Sequence, residues 1–352
     1  MRAVHVVLPD GVDDPERASG GNVYDRRVCC ELAATGWFVH EHVAPGTWPL
    51  ADRTTRQRLR CELASVPDGA VVVVDGLVAS AAPEILVPAA PRLRLCVLVH
   101  LPLGATTDDG TVRGDESVVL QAVAAVVTTS GWSRRWLLEH YGLDSACVHV
   151  AEPGVDAAQL APGTATGGHL LCVASVSPGK GHDLVVAALA GLSDLPWHWE
   201  CVGSLRRDPD FVERLRTQIR ALGVAGRIDL VGPRTGAALA ASYAAADLVV
   251  LASRFESYGM VVTEALARGI PVLATAVGGL PGTVGRLPDG RRPGLLVPPG
   301  QPAALAEAAG RWLREPALRE SLGDAARQRR ATLAGWDATT ERISRVLAEV
   351  AA

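Results

Sequence analysis

Lysine is almost absent from this chain: of 34 cationic residues only Lys180 is a lysine, and every other one is arginine. Aromatic residues are sparse at 4 %, and no apolar run approaches the roughly eighteen residues that a membrane-spanning helix requires. The opening MRAVHVVLPDGVDD turns polar too early for a secretory leader, so the expected location is the cytoplasm. No CxxC spacing occurs among Cys29, Cys30, Cys61, Cys96, Cys147, Cys172 and Cys201, and most lie in apolar segments. They read as reduced core thiols, not disulfides or metal ligands. Positive charge is not massed either: the formal net charge is −4, which argues against a nucleic-acid partner. One basic run, RTTRQRLR at 53–60, could touch an anionic membrane peripherally, but without aromatics it reads more simply as a solvated helix face.

What is present is a large apolar content, 48 % over 352 residues, more than one hydrophobic core ordinarily holds. Short β-rich runs alternate with helical stretches twice along the chain. The first set comprises Ala3 to Leu8, Phe38 to Val43, Val71 to Asp75, Leu93 to Val99, Ala125 to Thr129 and Val148 to Ala151. The second comprises Leu170 to Val176, Trp197 to Val202, Ile228 to Val231, Leu248 to Leu251 and Val272 to Ala274. Such alternation predicts two doubly wound, Rossmann-like α/β domains, with the Gly/Pro/Thr-rich stretch 161–169 as linker and a ligand cleft where both sheets present their carboxyl ends. The expected division is residues 1–160 and 161–335.

The most informative stretch is SRFESYGMVVTEALARGIPVLATAVGGLPGT, from residue 253. It reads as a loop carrying Glu256 after a buried strand, then a helix carrying Glu264 that stops at Gly269. Amides from Gly259 to Val261 at that helix start suit a phosphate, and two carboxylates suit a ligand rich in hydroxyls. The two acids could equally be ordinary helix residues.

Other strand ends add weaker signals. SVSPGKGHD (175–183) puts Lys180 and the amides of Gly179 and Gly181 at a helix start suited to a diphosphate, although Ala174 and Gly181 depart from a Walker A loop. Gly203 and Gly232 close strands and could border a base, or simply make tight turns. Asp208 and Asp210 have the spacing of metal ligands, but Pro209 makes them a helix start, and no metal is expected. Gly20 and Gly21 open a helix close to a ligand or form a flexible loop. His100 ends a strand, facing a ligand or settled in its loop. Residues 10–20 and 103–116, rich in Asp and Gly, read as mobile loops that would bear on acceptor choice.

Together these segments resemble the family 4 retaining glycosyltransferases of the GT-B fold. The match rests on ESYGMVVTEALARGIPV, similar to that family's E-x7-E signature, and on YAAADLVVLAS, VGGLP and GLLVPPGQPAALAEAA around it. GGNVYDRRVCCELAATG, VTTSGWSRRWL and EPGVD extend the match into the first half. The resemblance implies that a C-terminal helix, 336–352, returns to the first domain. It implies transfer of a sugar from a nucleotide-diphosphate sugar to a hydroxyl acceptor with retention, without a metal or cofactor. The leaving phosphate would take the acceptor's proton. Catalytic roles would fall to His100, Glu256 and Lys180, with His100 on the donor sugar. The donor site would comprise Gly20, Gly21, Ser175, Lys180, Gly181, Gly203, Gly232, Arg234, Glu256, Ser257, Tyr258, Gly259, Met260, Val261 and Glu264, with Glu264 on the ribose. Ser175 stands where the family has arginine, so either Arg234 or Arg254 would supply the second phosphate cation or the donor would be held differently. Gly282 stands where a glutamate is common. Two alternatives are a GT-B nucleotide-sugar epimerase, which needs no acceptor, and a nucleotide-sugar-binding protein with little turnover.

Overall fold

Runs such as VVVVD and LVVL are too short for helices and apolar on both faces, which makes them strands covered on both sides. The computed structural model describes residues 2–17 and 19–352, so Ala18 in the 10–20 segment lies outside the described residues. The chain forms two compact units. One takes residues up to 13, 21–154 and 335–352, and the other takes 14–20 and 155–334.

In the first unit the strands are β1 (Arg2–Pro9), β2 (Trp37–Ala44), β3 (Val71–Asp75), β4 (Arg94–Val99), β5 (Ala125–Thr128) and β6 (Val148–Val150). They form one parallel sheet in the order β2-β1-β3-β4-β5-β6. Val72, Val74, Leu95 and Val97 are fully buried, packed with Leu59 and Leu63 of the helix Arg53–Ser65. Each such side chain contributes about 1.5–3 kcal/mol of burial. The C-terminal helix Trp336–Ala351 belongs to this unit. Trp37 donates to Ser344 (2.8 Å), Arg94 to the Val350 carbonyl (2.7 Å) and Thr339 to the Glu152 carbonyl (2.7 Å).

The second unit repeats the plan with β7 (His169–Val173), β8 (His198–Val202), β9 (Ile228–Gly232), β10 (Leu248–Leu251), β11 (Val272–Thr275) and β12 (Gly294–Val297), ordered β12-β11-β10-β7-β8-β9 and all parallel. Its strand order reverses between β7 and β10. That of the first unit reverses between β1 and β3. Ligands of open parallel sheets bind beyond the strand ends at such reversals.

Three expectations from the sequence change. The stretch 161–169 is not a linker. The break falls between Gly154 and Val155, and Asp247 ties the stretch down by accepting from Thr164 N (2.5 Å), Thr164 Oγ1 (2.6 Å) and His169 N (2.8 Å). Residues 103–116 are not a loose loop: Asp109 caps a helix Gly110–Ala122, and its buried Glu116 accepts from the Leu103 and Gly104 amides and Tyr141. Strand β12, short and closed by prolines, adds a strand that periodicity does not predict. Among the described residues no helix is long and apolar enough to cross a membrane.

Candidate active site

The reversal in the second unit brings together the two loops singled out in the sequence. β7 feeds the turn Ser177–Gly181, and β10 feeds the loop that carries Glu256. Lys180 Nζ lies 2.7 Å from Glu256 Oε2. The loops are stitched at the backbone too, since Arg254 N donates to the Gly179 carbonyl (2.8 Å). Gly181, at φ +68°, has no room for a side chain, because a Cβ there would overlap the Ala252 carbonyl. The amides of Lys180 and Gly181 do not point to a ligand: they donate to the Ser177 and Pro178 carbonyls and close the turn.

The VGGLP turn supports the Glu256 loop from beneath. Gly279 N donates to the Glu256 carbonyl (3.0 Å) and Thr283 Oγ1 to the Tyr258 carbonyl (2.6 Å). A Cβ at Gly278 would overlap the Glu256 carbonyl, and one at Gly279 the Ser257 carbonyl. Gly259, at φ +84°, turns the chain into the helix Met260–Ala267, and Met260 packs its sulfur against Gly20. Ser257 is buried beside it.

Glu264 sits one helical turn further on. Tyr243 donates to its Oε2 (2.6 Å), while Arg268 lies over the Tyr243 ring at 4.3 Å and donates to the Glu264 carbonyl (2.8 Å). Burial raises the pKa of Glu264, opposed by the Tyr243 hydrogen bond and by Arg268. Tyr243 escaped the sequence reading, because in YAAADLVVL it passes for a core aromatic.

The remaining candidates divide. Gly203 is needed for close backbone approach, since a Cβ would overlap the Ala174 carbonyl; Gly232, at φ +78°, has open space. Arg234 is committed elsewhere: it pairs with Glu200 on β8 and donates to Ser242 (2.6 Å). Arg254 stands on the phosphate-type turn, donating to the Pro178 carbonyl and held by Asp183 at 3.1 and 2.7 Å. Of the two arginines suggested to replace the cation missing at Ser175, only Arg254 is near. Asp208 caps the helix Pro209–Ala221 through Phe211 N (2.9 Å), the helix-start reading of DPD.

In the first unit, His100 follows β4, the strand next to β3 beyond the β1/β3 reversal. Its Nε2 lies 2.8 Å from Asp25 and 3.3 Å from Asp75, which are 2 % and 3 % exposed. Gly21 faces the same ring, where a Cβ would stand 3.1 Å from Cδ2. Burial disfavours a charged His100, but the two carboxylates prevail and raise its pKa to about 10. Burial raises Asp25 to about 6 against the pull of His100. The sequence reading missed both acids. Their signals were an acid closing an all-valine strand and an acid five residues after Gly20 on a helix face.

Two doubly wound sheets of six parallel strands in one chain are the architecture of the GT-B fold, and solved structures of that shape agree. The chain aligns over 99 % of its length with 99 % of the sucrose-phosphate synthase of Thermosynechococcus elongatus, at TM-score 0.81 and 23 % identity. It aligns equally fully with Anabaena Alr3699/HepE, solved in complex with UDP-glucose, at TM-score 0.79 and 18 % identity. Residues 165–329 match the family described as glycosyl transferases group 1. The chain is 36 % identical over 260 residues to a D-inositol 3-phosphate glycosyltransferase of Kineococcus radiotolerans, and 32 % over 277 residues to that of Salinispora arenicola. These alignments cover 66 and 68 % of this chain and 58 % of each relative, so the chain spans under three fifths of the relatives' length. The chain is thus similar to the group 1, family 4 glycosyltransferases, most directly over residues 165–329.

Proposed function

We propose that this protein transfers a sugar from a nucleoside-diphosphate sugar to a hydroxyl acceptor, with retention at the anomeric carbon and without a metal. In this reading the second unit binds the donor and the first presents the acceptor. The observation that carries it is the Lys180–Glu256 pair at the β7/β10 reversal, where a compact cation and an acceptor-only carboxylate share one site. Lys180 would face the diphosphate and Glu256 the sugar hydroxyls. The amides from Gly259 to Val261, at the start of the helix Met260–Ala267, would add anion binding.

Glu264, anchored by Tyr243 on one oxygen, keeps its other oxygen for a ribose hydroxyl. Arg254, already on the turn, is the candidate to share the diphosphate charge in place of an arginine at 175. The leaving phosphate would accept the acceptor's proton on the same face, so catalysis would consist of stabilising charge and orienting two substrates. UDP-sugar donors head the test panel because the structural neighbour HepE was solved with UDP-glucose. The free cysteines suit a reducing compartment such as the cytoplasm.

Incubation with a panel of UDP-, GDP- and ADP-sugars and mixed hydroxyl acceptors, followed by NMR of the anomeric proton, tests the reading. A glycoside with the donor's anomeric configuration is expected. Inverted product overturns retention, and epimerised nucleotide sugar formed without acceptor overturns transfer. Binding without turnover over the whole panel would identify a nucleotide-sugar-binding protein.

A further inference from the structure

We propose that Asp25 and Asp75 are positioning residues that clamp Nε2 of His100, so that the ring offers a charged Nδ1–H to its ligand and serves as a cationic hydrogen-bond donor, not as a base. The proposal deepens the transferase reading and rests on it only for what the ligand is.

The geometry comes from three separate elements. Asp25 lies on the helix Gly20–Ala34, Asp75 at the end of β3, and His100 just after β4. Asp75 is fixed independently, since its Oδ1 accepts from Leu77 N (2.7 Å) and its Oδ2 faces His100. Asp25 directs Oδ1 at His100, while its Oδ2 is fully buried with no partner among the described residues. A buried, unpaired carboxylate oxygen is costly unless a nearby cation offsets it. His100 is the cation at hand.

Among the described residues, Asp25 and Asp75 are the charged groups paired with the ring. Tyr24 meets it edge-on at 5.3 Å, but its hydroxyl is spent on the Ala151 carbonyl (2.8 Å). Thr129 donates to the His100 carbonyl (3.0 Å), which fixes the backbone. Both acids approach Nε2, so that nitrogen carries a proton and donates. Nδ1 has no hydrogen-bond partner among the described residues, and the side chain is 18 % exposed on a ring otherwise enclosed. With Nε2 held by carboxylates, a second proton at Nδ1 is stabilised. The ligand atom there must therefore be an acceptor: a sugar hydroxyl oxygen, a phosphate oxygen or a carboxylate. A proton-abstracting role is closed to His100 near neutral pH.

The test is a pH titration of histidine ring resonances in uniformly 13C-histidine-labelled protein, with His100 assigned from its loss in His100→Gln. The expected result is an imidazolium signal for His100 unchanged from pH 5.5 to 8.5. Asp25→Asn and Asp75→Asn should each lower its midpoint by about 2 pH units, and Asp25→Glu should restore the charge. In transfer assays, Asp25→Asn should gain a loss of kcat with rising pH that the unaltered protein lacks. A neutral His100 at pH 7.5 in the unaltered protein overturns the proposal, as does a titration midpoint that neither Asn variant lowers. Should Asp25→Asn not fold, the unaltered protein and Asp75→Asn decide. The titration requires no turnover, so inactivity with every donor would sink the transferase reading alone. A freely titrating His100 in an active enzyme would sink only the clamp.

Discussion

Lys180, the single lysine of the chain, forms an ion pair of 2.7 Å with Glu256, which lies 76 residues away and in the following loop of the same sheet reversal. Neither side chain is sealed in, so in the proposed reading a ligand phosphate would draw Lys180 away and leave Glu256 free to accept sugar hydroxyls. Lys180→Ala is expected to lower kcat about 10²- to 10³-fold, the cost of one lost charge-stabilising contact. Lys180→Arg should restore little, because a planar fork does not replace a compact ammonium in a turn this tight. Initial rates at saturating acceptor check this; an unchanged kcat in Lys180→Ala would remove Lys180 from the reaction.

The paired glycines beneath Glu256 make a sharper structural prediction. Gly279→Ala pushes a methyl into the Ser257 carbonyl and displaces the loop that holds Glu256, whereas Gly282→Ala meets nothing within 4 Å. Donor binding should fall at least tenfold in the first variant. In the second, stability should stay within about 0.5 kcal/mol of the parent. Calorimetry with UDP and urea unfolding of both proteins give the comparison, and equal behaviour of the two variants would contradict it.

Tyr243 and Glu264 can be separated by two readouts. Tyr243→Phe leaves a buried carboxylate with one donor fewer, expected to cost about 1–3 kcal/mol of folding stability. Glu264→Ala should weaken nucleoside-diphosphate binding about 10- to 100-fold, the worth of a charge-assisted hydrogen bond. Unchanged affinity in Glu264→Ala would refute the ribose assignment.

His182, 1 % exposed at the start of the helix His182–Ala190, predicts an acid-side stability loss. Burial, followed by the nearby Lys180, lowers its pKa to about 4. The unfolded chain binds this proton near pH 6.5 and the folded chain only near 4, so stability falls as pH drops through that window. The loss from this group is on the order of 3 kcal/mol. Urea midpoints between pH 7 and 4.5 should fall less in His182→Gln than in the parent. Parallel curves would assign the acid sensitivity to other groups.

Much of this protein is legible without coordinates, for reasons tied to particular residues. Val71 to Asp75 and Leu248 to Leu251 have the bounds expected of them, since valine and leucine runs closed by Gly, Pro or Asp admit one buried parallel form. Capping residues did the same for helices such as Arg53–Ser65, which starts at Asp52. The helix Gly110–Ala122 was hidden because its apolar face is interrupted by Glu116, whose carboxylate is satisfied only by the Leu103 and Gly104 amides and Tyr141.

Local pattern by itself determined two Rossmann-like sheets, the loops bearing Lys180 and Glu256, and the helix bearing Glu264, because each depends on neighbours within a few residues. Tertiary structure alone decided which charges meet. Strand order set Lys180 against Glu256, withdrew Arg234 to Glu200 while leaving Arg254 on the turn, and enclosed His100 between Asp25 and Asp75. Such pairings join residues tens of positions apart, and their energies depend on burial and separations of a few ångströms, which no local sequence pattern encodes.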